Sequence, residues 1–119
     1  MKNLITWVEI PATDLERAVK FYNAVFSLEL EIVDFGEEKM ACLPNGEGAI
    51  SQAPNFKPSR DGVVINFNVG EDMDGRIKRI QANKGTILTG KTKIEAEGMG
   101  YFALFTDSEG NRIGLYGDR

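Results

Sequence analysis

Histidine is absent from this chain of 119 residues, and cysteine occurs only once. Without histidine, Ser-His-Asp and Cys-His catalysis are excluded, and so are the histidine-based sites that bind zinc, iron or nickel. A single cysteine excludes an internal disulfide and a structural zinc site, and it predicts a reducing, cytoplasmic location. Cys42 lies in the apolar run 40–43, which favours a buried small hydrophobic residue over a reactive thiol. Any metal ion would need oxygen ligands alone.

Clustered positive charge and long apolar runs are also missing. The net charge is −4, and no Lys/Arg cluster interrupts the acidic balance, which argues against nucleic acid or an anionic membrane as a partner. The N-terminal apolar run is broken by Glu9 and is too short for a signal peptide or a membrane span. With 42% hydrophobic and 27% charged residues, the composition is that of an ordinary globular domain.

The first half of the chain predicts a strand, a helix and three short strands. The segment 4–10 alternates as a strand, with Trp7 and Glu9 on one side. The segment 13–26 has helical apolar spacing and a capping box in which Thr13 is the N-cap. The segments LELEIVDF, KMACLPN and GAISQA then read as three strands separated by polar turns.

The second half repeats this order after a proline-containing linker at 54–62. A strand at 63–69 precedes a helix at 71–85 that is predicted to end at a Gly85 C-cap. TILTGKTKI and the hairpin YFALFTDSEGNRIGLY supply three more strands, and the hairpin turn is predicted to contain an Asx-turn at Asp107 and a positive φ at Gly110. The helix starts DLERAV and DMDGRI align half a chain apart, which indicates a doubled module.

This order resembles the vicinal oxygen chelate superfamily, which contains glyoxalases, bleomycin-resistance proteins and extradiol dioxygenases. VEIPATDLERAVKFYNAVF is similar to its first strand and helix, and GMGYFALFTDSEGNRIGLY to its closing hairpin. The resemblance implies an α+β fold of paired βαβββ modules that form a curved half-barrel cup. It predicts one domain over 1–119, with module 1 at 1–53, the linker at 54–62 and module 2 at 63–119.

Metal-dependent members of that family hold their ion with His, Glu or Gln, His and Glu, one from each of four strands. The resemblance places these positions on Trp7, Ser51, Val64 (with Asn66 as the alternative) and Gly114. None of the first-choice residues offers a histidine or a carboxylate, so we expect no metal and no other cofactor. A glycine in the middle of a strand weakens it and marks a bulge or a close approach. Gly114 would stand where relatives carry a carboxylate, which leaves room in the cup.

The strand phases predict which side chains face the cup. Glu9 is the candidate general base, and the competing interpretation is a strand-end charge that reaches solvent or pairs with Arg112. Trp7 could stack on a flat ligand, fill the cup or form a dimer contact. The other candidate ligand-binding residues are Ser51, Asn66, Asn68, Arg112 and Tyr116. For the two asparagines solvation is the competing interpretation, and for Arg112 and Tyr116 it is an edge or interface role.

Three functions remain open at this point. The first is a metal-independent protein that binds a small, partly aromatic molecule in the cup, as the bleomycin-resistance branch sequesters its drug. The second is a glyoxalase-like lyase or isomerase that uses Glu9 as a general base. The third is a non-catalytic dimeric assembly module. A homodimer is expected in each case because short open sheets leave exposed edges, and whether it swaps modules is left open.

Overall fold

The computed structural model describes residues 3–119, and its elements occur in the same order twice. The first half contains β1 (Val8–Pro11), α1 (Leu15–Phe26), β2 (Ile32–Asp34), β3 (Lys39–Cys42) and β4 (Gly48–Gln52). The second half contains β5 (Asn66–Gly70), α2 (Met73–Ala82), β6 (Thr86–Lys93), β7 (Tyr101–Thr106) and β8 (Arg112–Gly117). A single 3-10 turn at Pro44–Gly46 connects β3 to β4.

Each half forms one mixed four-stranded sheet, in the orders β1-β4-β3-β2 and β5-β8-β7-β6. In both sheets the first strand pairs in parallel with the last, and the other neighbours are antiparallel. A helix follows each first strand because a parallel pair cannot be joined by a tight hairpin. The prediction of an α+β fold built from paired βαβββ modules is therefore confirmed.

The two helices begin at equivalent positions of the repeat. The side chain of Asp14 accepts a hydrogen bond from the backbone N–H of Arg17, and Asp72 does the same for Gly75, at 3.1 and 3.2 Å. The predicted Thr13 N-cap is thus wrong by one residue. The backbone N–H of Thr13 donates instead to the carboxylate of Glu109, which lies in the distant hairpin turn.

The end of α2 also differs from the prediction. The helix ends at Ala82, Asn83 is its C-cap, and Lys84 rather than Gly85 adopts the left-handed conformation, with φ of 75°. Gly85 is required for space, because a Cβ there would come within 2.9 Å of the Phe21 ring. The pattern identified the right glycine but not the reason for it.

One hydrophobic core joins the two halves. Aromatic side chains of α1 contact the second sheet, with ring centroids 4.6 Å apart for Phe26 and Phe67 and 6.2 Å apart for Phe21 and Phe105. All the strand residues predicted to face the helices belong to this core: Val8, Ile10, Ile65, Phe67, Val69, Ile113 and Leu115. The predicted strand phases are therefore confirmed, and each sheet turns one face to the helices and an outer face away from them.

Two strand-level expectations were wrong. The first strand begins at Val8 rather than at residue 4, because its partner β4 begins at Gly48, directly opposite Val8. Cys42 is exposed, whereas a buried thiol was predicted. It lies on the outer face, and its neighbour Ala41 is the residue that enters the core. Neither helix within residues 3–119 is long and apolar enough to cross a membrane.

Candidate functional site

The outer face of the second sheet gathers most of the polar residues that the sequence singled out. Asn66 lies opposite Gly114, and Asn68 lies opposite Tyr116 in the β5–β8 pairing. Arg112 comes before Gly114 and Tyr116 on β8. Leu104 lies opposite Gly114 in the β7–β8 pairing. Since the intervening residues pack into the core, these side chains share the opposite face. We call this surface the second outer face.

The glycine in the centre of β8 makes room for an asparagine. A Cβ at position 114 would overlap Oδ1 of Asn66, so the Asn66 amide lies over Gly114. The backbone of Gly114 is not in the left-handed region, and its N–H donates to the carbonyl of Ile65 at 2.8 Å. The glycine therefore serves the close approach of a side chain, which is one of the two roles that a mid-strand glycine predicts.

The polar side chains of this face differ in how many hydrogen bonds they already make within the chain. Asn68 accepts a hydrogen bond from the backbone N–H of Gly70 at 3.0 Å, and the Tyr116 hydroxyl accepts one from Gly100 at 3.1 Å. Within residues 3–119, the side chains of Asn66 and Arg112 have no such partner. Asn66 and Arg112 are consequently the two groups of the face whose side chains make no hydrogen bond within the described chain, and all of their hydrogen-bonding capacity is left for a ligand.

The outer face of the first sheet carries the pair Glu9 and Ser51. The Ser51 hydroxyl donates to Oε1 of Glu9 at 3.1 Å. Ser51 is only 1% exposed, while the Glu9 side chain reaches the surface. A buried donor therefore fixes the orientation of an accessible carboxylate. This arrangement can accept a proton or a hydrogen bond from a bound molecule.

A cavity of about 260 Å³, which we call the seam cavity, lies where the two halves meet. Glu9 and Arg112 both line it, together with Ser59 and Asn111. The linker forms one wall, held by a 3.2 Å hydrogen bond from Arg112 N–H to the Ser59 carbonyl and a 3.1 Å bond from Ser59 N–H to the Asn111 amide. The remaining walls are apolar: Val8, Ile10, Pro11, Val63, Ile65 and Ile113.

The residues expected in one cup line more than one cavity of the chain. Asn66 and Asn68 line a groove of about 660 Å³ beside β5, separate from the seam cavity. Trp7 lies before β1 rather than within it and is 43% exposed, so no strand phase directs its side chain. In residues 3–119 no ion pair connects Glu9 with Arg112, although the two share a cavity.

Comparison with known proteins identifies the family. The model of the glyoxalase/bleomycin resistance protein/dioxygenase superfamily matches residues 4–115. The chain belongs to this superfamily. It is 30% identical over 116 residues to a glyoxylase-like domain-containing protein of Didymella fabae, an alignment that covers 90% of this chain and 88% of that protein.

Solved structures of the superfamily share the fold. A glyoxalase/bleomycin resistance protein from Albidiferax ferrireducens T118 superposes with a TM-score of 0.70 at 21% identity, over 97% of this chain and 99% of that one. The fosfomycin resistance protein FosX from Mesorhizobium loti gives a TM-score of 0.68 at 21% identity, over 98% and 92% of the two chains. At these identities the likeness concerns the fold alone.

The residues that the resemblance assigns to the metal positions of the superfamily do not fit a transition metal. Trp7 and Val64 offer no ligand atom suited to one, and the Ser51 hydroxyl donates to Glu9. The space over Gly114 contains an amide oxygen, which is a weaker ligand than the carboxylate of metal-dependent relatives. Within residues 3–119 no group of three Cys, Asp or Glu side chains is arranged to hold a metal ion.

Sequence reasoning treated the hairpin turn as local turn chemistry and missed its long-range partners. The predicted Asx-turn is present, with the Glu109 N–H donating to Asp107 at 2.9 Å, and Gly110 has φ of 95°. Asp107 is also buried, and it accepts a 2.7 Å hydrogen bond from the Tyr22 hydroxyl of α1. The Asn111 amide joins Asp107 to the carbonyl of Pro11 on β1. No signal in the sequence identified Tyr22 as the partner.

Glu109 of the same turn binds the start of α1. Its Oε1 accepts hydrogen bonds from the backbone N–H groups of Thr13 and Asp14, and Arg17 forms a 2.7 Å ion pair with Oε2. Burial by itself would raise the pKa of Glu109, but the hydrogen bonds from Arg17, Asp14 and Ser108 outweigh it and lower the pKa. Through these contacts the β7–β8 turn of the second module binds the start of α1 in the first module.

Proposed function

We propose that this protein binds a small organic molecule without a metal ion, on the outer faces of its sheets. The observation that carries the proposal is the Asn66 amide above Gly114, the position at which the resemblance to metal-dependent relatives leads us to expect a carboxylate. An exposed amide with unused donors and acceptors suits hydrogen bonding to a ligand. Leu104 beside it and Arg112 on the same strand add apolar and charged contacts, the mixture that is typical of ligand sites.

The proposal is tested by a thermal-shift screen of aromatic and glutathione-like compounds, followed by titration of any hit. Replacing Asn66 by Ala should weaken binding about ten-fold, the effect of losing one or two hydrogen bonds. Gln81→Ala, which removes an exposed amide from α2, is the matched control and should leave affinity unchanged. Trp7 is the only tryptophan, so its fluorescence reports on binding nearby.

Two results would contradict metal-independent binding. One is elemental analysis of the purified protein that finds one tightly bound transition metal per chain. The other is loss of ligand binding in the presence of a chelator. Equal affinity of the wild type and Asn66→Ala would instead remove Asn66 from the site.

A glyoxalase-like lyase or isomerase is the alternative function, and the hydrogen bond between Ser51 and Glu9 favours it. A general base needs a fixed, accessible carboxylate, and Glu9 has both properties. Glu9→Gln keeps an oxygen that accepts from Ser51 but removes the base. Under the enzyme hypothesis this variant loses turnover while it still binds substrate. If the protein only binds, affinity changes and no turnover is found in either form.

A non-catalytic assembly module is the third hypothesis. The polar residues of the second outer face argue for ligand binding over this role, because a surface used only for association would not need the uncommitted Asn66 amide. Dimer formation is compatible with all three functions and is argued below at the scale of the whole molecule.

A further inference from the structure

The seam cavity is lined by two residues of opposite charge that are not paired with each other. Glu9 lines it from β1 and Arg112 from β8, yet in the described part of the chain neither is ion-paired with the other or with a third residue. The Arg112 guanidinium has no hydrogen-bond partner within that part, and Glu9 has only the Ser51 hydroxyl. Both groups therefore have capacity for a bound molecule.

The chemistry of the walls restricts what that molecule can be. Apolar residues line the same cavity, chiefly the accessible Val8, Val63 and Ile65, so a ligand here needs an apolar body. A ligand with one charge would satisfy Glu9 or Arg112 and be repelled by the other, and a cavity partly shielded from water strengthens both effects. A zwitterion satisfies both, since its ammonium group donates to Glu9 and its carboxylate accepts two parallel bonds from the guanidinium.

We infer that the seam cavity binds a small apolar zwitterion, an amino acid with a branched or aromatic side chain. The cavity of about 260 Å³ has space for a molecule of this size. This inference goes beyond the proposed function, because it assigns a ligand to a cavity other than the groove beside β5. Asn66 lines a different groove and does not enter the argument.

A matched set of three compounds tests the inference by calorimetry on the purified protein. Phenylalanine carries both charges, 3-phenylpropanoate lacks the ammonium group, and phenethylamine lacks the carboxylate. We expect phenylalanine to bind at least ten times more tightly than either analogue, with a dissociation constant on the order of 0.1–1 mM for so small a ligand. Leucine should also bind, because the cavity offers apolar contacts on several sides.

Two charge-removing variants test the assigned partners. Glu9→Gln should weaken phenylalanine binding about ten-fold and leave 3-phenylpropanoate unaffected or more tightly bound, because a repulsion is removed. Arg112→Gln should weaken phenylalanine similarly and spare phenethylamine. Arg60→Gln and Glu47→Gln remove charges that line neighbouring cavities, and both should bind phenylalanine within two-fold of the wild type, about 0.4 kcal/mol.

The outcomes separate this inference from the proposed function. If a screened compound binds through Asn66 but phenylalanine shows no advantage over its analogues, the zwitterion assignment is wrong and the proposed function stands. The same holds if phenylalanine binds but Glu9→Gln and Arg112→Gln have no more effect than the controls. If neither the screen nor the three compounds yields binding, the proposed function itself fails.

Discussion

Gly114 shows how one absent side chain can determine a surface. Its neighbour across the strand, Asn66, occupies the volume that a Cβ at 114 would need. The obstacle is the end of an exposed side chain rather than backbone, so Asn66 can rotate away if the glycine is replaced. The conflict therefore concerns the position of the amide more than the stability of the sheet.

A double-mutant cycle measures this conflict without any ligand. Alanine in a strand interior is favoured over glycine by about 0.5–1 kcal/mol. In the Asn66→Ala background, Gly114→Ala should yield that full gain in the free energy of unfolding. In the wild type the gain should be smaller or reversed, because the amide must move. Equal effects in the two backgrounds, measured by urea unfolding, would show that the two positions do not interact.

Tyr22 and Asp107 form the most deeply buried polar contact between the two halves. The hydroxyl donates to Oδ2 of Asp107 at 2.7 Å, and the tyrosine is completely buried. Burial, followed by the neighbouring Asp107 carboxylate, raises the pKa of Tyr22 well above its ordinary value of 10.0. In the folded protein the hydroxyl thus stays protonated at a pH where an unfolded chain releases the proton.

Replacing Tyr22 by Phe should destabilise the protein at neutral pH by about 1–3 kcal/mol, because a buried carboxylate loses a donor. The raised pKa means that the contribution of Tyr22 is fully present below about pH 10 and decreases as the pH rises further. The difference between wild type and Tyr22→Phe, measured by urea unfolding, should therefore narrow above that pH. Tyr101→Phe, at a partly exposed site, is the control. A difference that stays constant from pH 7 to 11 would contradict the assignment.

At the scale of elements, the β7–β8 turn acts as a cap for a helix from the other module. Most helix N-termini are satisfied by their own neighbouring residues, and Asp14 does this for Arg17. The N–H groups of Thr13 and Asp14 are satisfied by Glu109, whose negative charge also suits the positive end of the helix dipole. The turn thereby couples the formation of α1 to that of the second sheet.

Glu109→Gln should destabilise the protein by about 1–3 kcal/mol at pH 7, since it loses charge-assisted hydrogen bonds. The lowered pKa of Glu109 means that its contribution is present above its ordinary value of 4.5 and is lost as the pH falls through the lower folded value. The deficit of the variant should accordingly shrink in acid. Glu16→Gln, in the exposed first turn of α1, is the control. Urea midpoints at pH 7 and pH 3 provide the measurement, and a deficit equal at both would refute the role.

The same helix shows what the sequence could and could not predict about elements. The apolar spacing of α1 predicted its face and its last residue, because these depend on residues close together in the chain. Its first residue depended on whether Thr13 or Asp14 served as the cap. Glu109, on another module, takes the backbone N–H of Thr13, and no local pattern contains that contact. The end of α2 is a further case decided by packing: Lys84, and not the predicted Gly85, adopts the left-handed conformation.

At the scale of the molecule, the doubled βαβββ plan and the two faces of each sheet followed from the alternation of apolar residues. The arrangement of the candidate site did not. That Glu9 and Arg112 line one cavity depends on the path of the linker, which is fixed by hydrogen bonds of Ser59 to β8 and Asn111. Those pairings join residues far apart in sequence, where neither periodicity nor spacing carries information.

The arrangement of the two sheets also bears on the proposed homodimer. Both modules pack their helices into one shared core, so within residues 3–119 no helix covers the outer faces. They bear exposed apolar side chains, of which Val33 is 48% and Leu88 39% exposed. Strands β2 and β6 lie at one edge of their sheets and β1 and β5 at the other, and within residues 3–119 none of the four has a second strand neighbour. Apolar faces and open edges are features that association with a second copy would cover.

Sedimentation should therefore show a dimer at micromolar concentration. Leu88→Asp places a charge on the second outer face, where Leu88 lines one cavity with Leu104 and Arg112, and it should raise the dimer dissociation constant by about ten-fold or more. Ala24→Asp introduces the same charge on the exposed side of α1, away from both sheets, and should leave the dimer intact. A wild-type monomer at micromolar concentration would refute the dimer. If Ala24→Asp were the more disruptive variant, association would use the helices, and the outer faces would remain open to ligand in every copy.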